Sequence, residues 1–231
     1  MGGNNPAAVL DALRARFGRV PLTLGQPVVD EGIPPSRTSL PPDLARALLI
    51  ERGVVELAGL PGSGATTLAL SCMTEIWARL APAREPWLCA VDGSARLFAP
   101  ALLSLGVPLH RLFVVAPPLA ALPRVAVRVM KSGAFCAVLV DAREHQAPET
   151  LPVRRFTLLA EASSMTVYLL TSPTARRRAP LPTTVRVRVT PRSQKEIGVV
   201  IEHHRGGPRA PFSWRRPASP LERFFEEESV S

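Results

Sequence analysis

Residues Gly59-Leu60-Pro61-Gly62-Ser63-Gly64-Ala65-Thr66-Thr67 lay out the frame of a phosphate-binding loop from which the charge has been removed. In the pattern G-x-x-x-x-G-K-[ST], backbone N–H groups cradle phosphates, the lysine reaches the terminal phosphates and the hydroxyl that follows binds Mg²⁺. The frame here runs from Gly59 to Thr66, and Ala65 stands at the lysine position. Gly59, Gly62 and Gly64 remain, as do the hydroxyls of Thr66 and Thr67, but the cation that would neutralise a terminal phosphate is gone. The other candidate is Asp141, which ends the apolar run Ala134-Phe135-Cys136-Ala137-Val138-Leu139-Val140. A carboxylate at the carboxyl end of a buried strand beside such a loop is placed to hold Mg²⁺ through water, the Walker B arrangement. Each signal also has a plainer reading. The glycines can serve a tight βα turn, and the aspartate can simply start a turn after a buried strand.

The flanking pattern decides what positions these groups. Gly53 to Ala58 is apolar and β-branched enough for a short strand, and Thr66 to Leu80 runs without Gly or Pro, with Leu68, Cys72, Ile76 and Leu80 at helical spacing. Strand, loop, helix is the order that sets a helix N-terminus behind a bound phosphate. Farther along, strands are expected at Trp87–Val91, Leu112–Ala116, Cys136–Val140, Thr166–Leu170, Val185–Val189 and Val199–Ile201. Helices are expected at Leu97–Leu105, Leu119–Lys131 and Val153–Ala162. Alternation of this kind implies an α/β fold with a mostly parallel, buried sheet flanked by helices. The last two strands have no helix between them, which predicts an antiparallel edge.

Composition sets the outer bounds. The chain has 231 residues, 46% of them hydrophobic, enough for one α/β domain with extensions. Its formal net charge of +9 and pI near 11.0 favour an acidic partner such as nucleic acid. The lysines are Lys131 and Lys195 alone, so the charge is almost all arginine, a bias that a GC-rich genome also produces. Cys72, Cys89 and Cys136 are scattered through apolar segments without metal-ligand spacing, as small core residues of a reducing cytosol are. His203-His204 has no further ligand at metal spacing, so no metal is expected. Met1 to Asn5 lacks a signal peptide's basic start and apolar run, and the apolar stretch from Ala99 to Met130 is broken by prolines and charges. A cytoplasmic protein with no membrane partner is expected.

In order along the chain, these segments resemble the RecA recombinase core. Gly32-Ile33-Pro34-Pro35-Ser36-Arg37-Thr38-Ser39-Leu40 is similar to the segment that precedes that family's phosphate loop. Trp87 to Ala95 resembles its strand ending in Asp-Ala-Glu, and Leu105-Gly106-Val107-Pro108 its Leu-Gly-Val-Asp stretch. Ser132-Gly133-Ala134 through Asp141 resembles its Ser-Gly-Ala followed by Walker B. The likeness spans roughly residues 32 to 205. It implies that Ser94 replaces the glutamate that activates water, and that the phosphate-sensing glutamine falls near Thr171-Ser172. With Ala65, three catalytic elements are missing, so the expected protein is not an enzyme. Gly59, Gly62, Gly64, Thr66, Thr67 and Asp141 would form a vestigial nucleotide site with weak or absent ATP and Mg²⁺ binding.

Small RecA-like proteins of this kind resemble the ImuA family, sometimes grouped with SulA-like proteins. That resemblance implies an accessory factor of SOS-induced translesion DNA synthesis and mutagenesis, working with RecA, an ImuB-like Y-family protein and an error-prone DnaE-type polymerase. The alternatives left open are an active P-loop ATPase of DNA repair and a SulA-like cell-division inhibitor. The expected organisation is an N-terminal helix (1–20), a Pro-rich linker (21–43), a RecA-like core (44–205) and a Pro-rich, acidic tail (206–231). Val9, Leu10, Leu13 and Phe17 form one apolar stripe in the first segment, and Phe224 and Phe225 an apolar pair in the last. Both are candidate partner contacts. Arg176, Arg177, Arg178, Arg186 and Arg188, with Arg192 and Lys195, make a candidate basic face for DNA.

Overall fold

Four segments are apolar at nearly every position, which suits strands covered on both faces rather than on one. They become the centre of the computed structural model, which describes residues 40–81, 86–145, 151–174, 180–193, 195–204 and 211–215. The elements are α1 (Pro42–Leu48), β1 (Gly53–Ala58), α2 (Ala65–Leu80), β2 (Trp87–Asp92), α3 (Ala99–Ser104), β3 (Leu112–Val115) and α4 (Leu122–Lys131). They continue with β4 (Phe135–Asp141), α5 (Val153–Ala162), β5 (Thr166–Thr171), β6 (Val185–Pro191), β7 (Glu196–His204) and β8 (Pro211–Arg215). The eight strands form one sheet in the order β3-β2-β4-β5-β1-β6-β7-β8. Pairing is parallel from β3 to β6 and antiparallel across β6-β7-β8.

The protein is therefore α/β, with a mostly parallel sheet between helices. From β1 the chain steps outward to β2 and β3, then returns to β4 and β5. Parallel crossovers are right-handed in nearly all proteins, so this reversal moves the helices to the opposite face. Accordingly α1, α2 and α3 cover one side, where Leu44, Leu48, Leu68, Cys72 and Leu102 pack on Val55, Leu57, Leu139 and Leu170. On the other side α4 and α5 bring Leu122, Ala126, Met130, Phe156 and Ala160 onto Val54, Val91, Val138 and Val167. A fully buried side chain such as Phe156 or Leu44 contributes about 1.5–3 kcal/mol through burial.

β6 departs from the all-apolar pattern because only one of its faces is covered. Val185, Val187 and Val189 point into the core, while Arg186 and Arg188 alternate with them on the less covered face. The expected antiparallel edge is present, with Val187 opposite Ile201 and Val189 opposite Val199. β8 adds sheet beyond the 44–205 core expected from sequence, and its Trp214 is buried. α1 likewise starts inside the expected linker, with Pro42 in its first turn, where a missing N–H costs nothing. The three cysteines are free and buried; burial pushes Cys72 up to about 12 and raises Cys89 as well. No helix among the described residues is long and apolar enough to cross a membrane.

Candidate functional site

A parallel sheet delivers all its strand C-termini to one edge, and ligands of open α/β sheets bind in the crevice there. At that edge lie Gly59 after β1, Asp92 at the end of β2, Asp141 at the end of β4 and Thr171 at the end of β5. The register puts Asp92 beside Asp141 and Ala58 beside Thr171. The structure thus brings together the glycine loop, Asp141 and the Ser94 and Thr171 positions that sequence reasoning singled out.

The loop is tightly held. Gly59 N–H donates to the Thr171 carbonyl at 3.0 Å, and Ser63 N–H donates to the Leu60 carbonyl at 3.0 Å. Gly64 is the N-cap of α2, with φ of 91°, and its carbonyl accepts from Leu68 N–H at 2.9 Å. A Cβ on Gly64 would lie 2.6 Å from Ile197 Cγ2, so β7 packs directly against the loop. Gly62 also has positive φ, 81°, but open space around it. Ser63 is buried and its Oγ accepts from Ala65 N–H at 3.4 Å. Ala65 is wholly buried, and Thr66 and Thr67 sit half-buried in the first turn of α2. The loop and helix start keep the backbone donors of an anion cradle, yet the lysine position contributes only a methyl group.

The acidic groups are spent locally. Asp141 is 8% exposed and Arg143 7%, and the two form a bidentate pair. Arg143 Nε donates to Asp141 Oδ1 at 2.9 Å and Nη2 to Oδ2 at 2.5 Å, while the Arg143 N–H adds a bond to Oδ1 at 3.1 Å. Asp92 is closed in the same way, accepting from Ser94 N–H at 3.0 Å, Ser94 Oγ at 2.7 Å and Arg96 N–H at 2.7 Å. Ser94 is thereby a turn residue tied to Asp92. Arg96 in turn pairs with Glu144, linking the loops after β2 and β4. The residues present do not fit a nucleotide-bound Mg²⁺, because a cation at Asp141 would have to displace an internal guanidinium. Among the described residues no group of three His, Cys, Asp or Glu side chains is placed to hold a metal ion.

Sequence reasoning missed Arg143, and it also missed Glu56. That glutamate lies in the middle of β1, fully buried, and accepts from Thr171 Oγ1 at 2.8 Å. Its other oxygen is 3.6 Å from Arg186 Nε; Arg186 lies 3.0 Å from Glu202, and Glu202 pairs with Arg188 at 2.5 Å. An ionised carboxylate inside a sheet is retained only with such partners. The only sequence signal was a lone acid in an apolar strand. Arg186 and Arg188, candidates for a DNA-binding face, pair with these carboxylates, and Arg188 stays 57% exposed. Arg186 and His203 also line a cleft of about 590 Å³ between α5 and the β6-β7 hairpin. Arg192 and Lys195 lie at the β6-β7 turn, where the Arg192 N–H donates to the Glu196 carbonyl. Val9, Leu10, Leu13, Phe17, Arg176, Arg177, Arg178, Phe224 and Phe225 lie outside the described residues. No protein-family model matches this chain, and no curated protein matches it.

Proposed function

We propose that this chain is a catalytically inactive RecA-like protein that works by binding partners, RecA itself or polymerase subunits, in SOS-induced translesion synthesis. The observation that carries the inactivity is the Asp141–Arg143 pair. Phosphoryl transfer depends on cations placed around the terminal phosphate. At this edge the lysine position is a buried alanine, the metal-holding carboxylate is neutralised from within, and Ser94 supplies no base. The RecA-like reading rests on the ordered sequence segments, and the glycine loop between β1 and α2 with an aspartate ending β4 agrees with it. The partner-binding reading draws support from Leu60 and Phe98, apolar side chains 51% and 67% exposed on the loops of this same edge. Exposed apolar side chains around a site without charged catalytic groups suit contact with protein better than turnover of a nucleotide.

The test is co-sedimentation of the purified chain with RecA, with and without single-stranded DNA and ATP, beside calorimetry with ATP. Association with RecA and no ATP heat are expected, and Leu13→Asp, in the apolar stripe read from the sequence, is expected to abolish association. No association under any nucleotide condition would overturn the reading. Steady ATP hydrolysis lost in Asp141→Ala would replace it with an active ATPase.

A further inference from the structure

We propose that the outer face of α4 and α5 is a binding surface for the phosphate backbone of a nucleic acid. α4 buries Leu122, Ala126, Val127, Val129 and Met130 against the sheet. Its exposed side chains are Arg124, Arg128 and Lys131, all basic. The adjoining α5 exposes Arg154 and Arg155 in its first turn, and Glu161 is the one acidic residue on either helix. None of the five cations forms an ion pair among the described residues. They differ in this from Arg186 and Arg188, which Glu56 and Glu202 occupy.

Helix geometry sets the size of the array. Arg124 and Arg128 are one turn apart, about 6 Å, and Arg124 to Lys131 spans about 10 Å. Two packed helices lie 8–10 Å apart, so the five cations cover a patch roughly 10 Å on a side. A duplex carries about six phosphate charges over that length of axis. Arg154 and Arg155 also stand at the positive end of the α5 dipole, with no acidic residue and no side-chain cap in that turn. This arrangement opposes the dipole, and an approaching phosphate relieves it. A protein partner would need an apolar centre, whereas α4 exposes no large apolar side chain and α5 only Leu158. Backbone phosphates need cations alone. The surface stands independently of the partner reading above, because it uses neither the glycine loop nor RecA.

The experiment is fluorescence anisotropy of the full chain with a labelled single strand and the matching duplex at several salt concentrations. Five phosphate contacts give a log–log salt slope of about −4.5 for duplex and −3.5 for single strand, a roughly 500-fold loss of duplex affinity from 50 to 200 mM. The form whose anisotropy reaches its midpoint at the lower protein concentration is the preferred one. Arg124→Gln/Arg128→Gln/Lys131→Gln is expected to flatten the duplex slope by about 2.7, while Arg46→Gln/Arg79→Gln, at exposed positions on the helices of the opposite face, leaves it unchanged. The α4 substitutions are all at exposed positions, and circular dichroism verifies the fold. Absence of binding to either form at low salt, or a triple variant with the wild-type slope, overturns the proposal.

Discussion

Replacing Arg143 by alanine should destabilise the protein far more than its place in a loop suggests. The guanidinium and the Asp141 carboxylate are both more than nine-tenths buried and share two side-chain hydrogen bonds. Alanine would strand an ionised carboxylate beneath the sheet edge, and breaking a buried pair from one side costs about 3–5 kcal/mol. For a domain of this size that is a fall in Tm of about 6–20 °C. The control is Arg96→Ala at the neighbouring bridge to Glu144. Those side chains are 49% and 39% exposed, so its ion pair contributes no more than about 1 kcal/mol. Urea unfolding of the wild type, Arg143→Ala, Asp141→Asn and the double variant forms a cycle that isolates the coupling. The double variant should recover much of the loss, since it leaves no unpaired charge. A cost for Arg143→Ala equal to that of Arg96→Ala would refute the view that an internal cation closes this carboxylate.

Restoring the lysine by Ala65→Lys should yield no steady phosphate release, because Ser94 offers no carboxylate base and Asp141 stays paired; sustained hydrolysis would point to another base. Gly64→Ala should cost about 2–4 kcal/mol in urea unfolding, combining positive φ with the 2.6 Å approach to Ile197, whereas Gly62→Ala, with open space, should cost about 1 kcal/mol. Stability should also fall at high pH. Cys72 ionises near 9 when unfolded but only near 12 when buried, so the folded state holds its proton longer. Its contribution is complete below pH 9 and declines by about 1.4 kcal/mol per pH unit between 9 and 12. Cys72→Ala should flatten that alkaline loss in a thermal-melt series.

What could be read from sequence was what local pattern determines. The apolar runs of β1, β2, β4 and β5 pointed to a buried, mostly parallel sheet, and the missing helix between β6 and β7 pointed to their antiparallel pairing. The glycine loop and Asp141 were visible because their spacing is itself the signal. Arg143 was not, since an arginine two residues past a strand acquires meaning only when its side chain folds back. Glu56 shows in the sequence only as a lone acid in an apolar strand, and its partner Arg186 is distant in sequence and adjacent only through the β1-β6 register. β8 escaped because five residues among prolines carry too little alternation, although Trp214 fills the core. The basic positions of α4 follow helical spacing, but which face of the helix is open is settled only by its packing on the sheet.

The contact between Ile197 and Gly64 makes the antiparallel edge a mechanical part of the glycine loop. With a methyl of β7 filling the space where a side chain on Gly64 would stand, the loop cannot widen unless β7 shifts. β7 is in turn clamped by β6 on one side and β8 on the other. Interiors packed at this density pass strain on rather than absorb it. Any partner that pulls on the β7-β8 edge therefore pulls on the loop, and anything that seats in the loop stiffens that edge. This linkage would let one binding surface sense the occupancy of another.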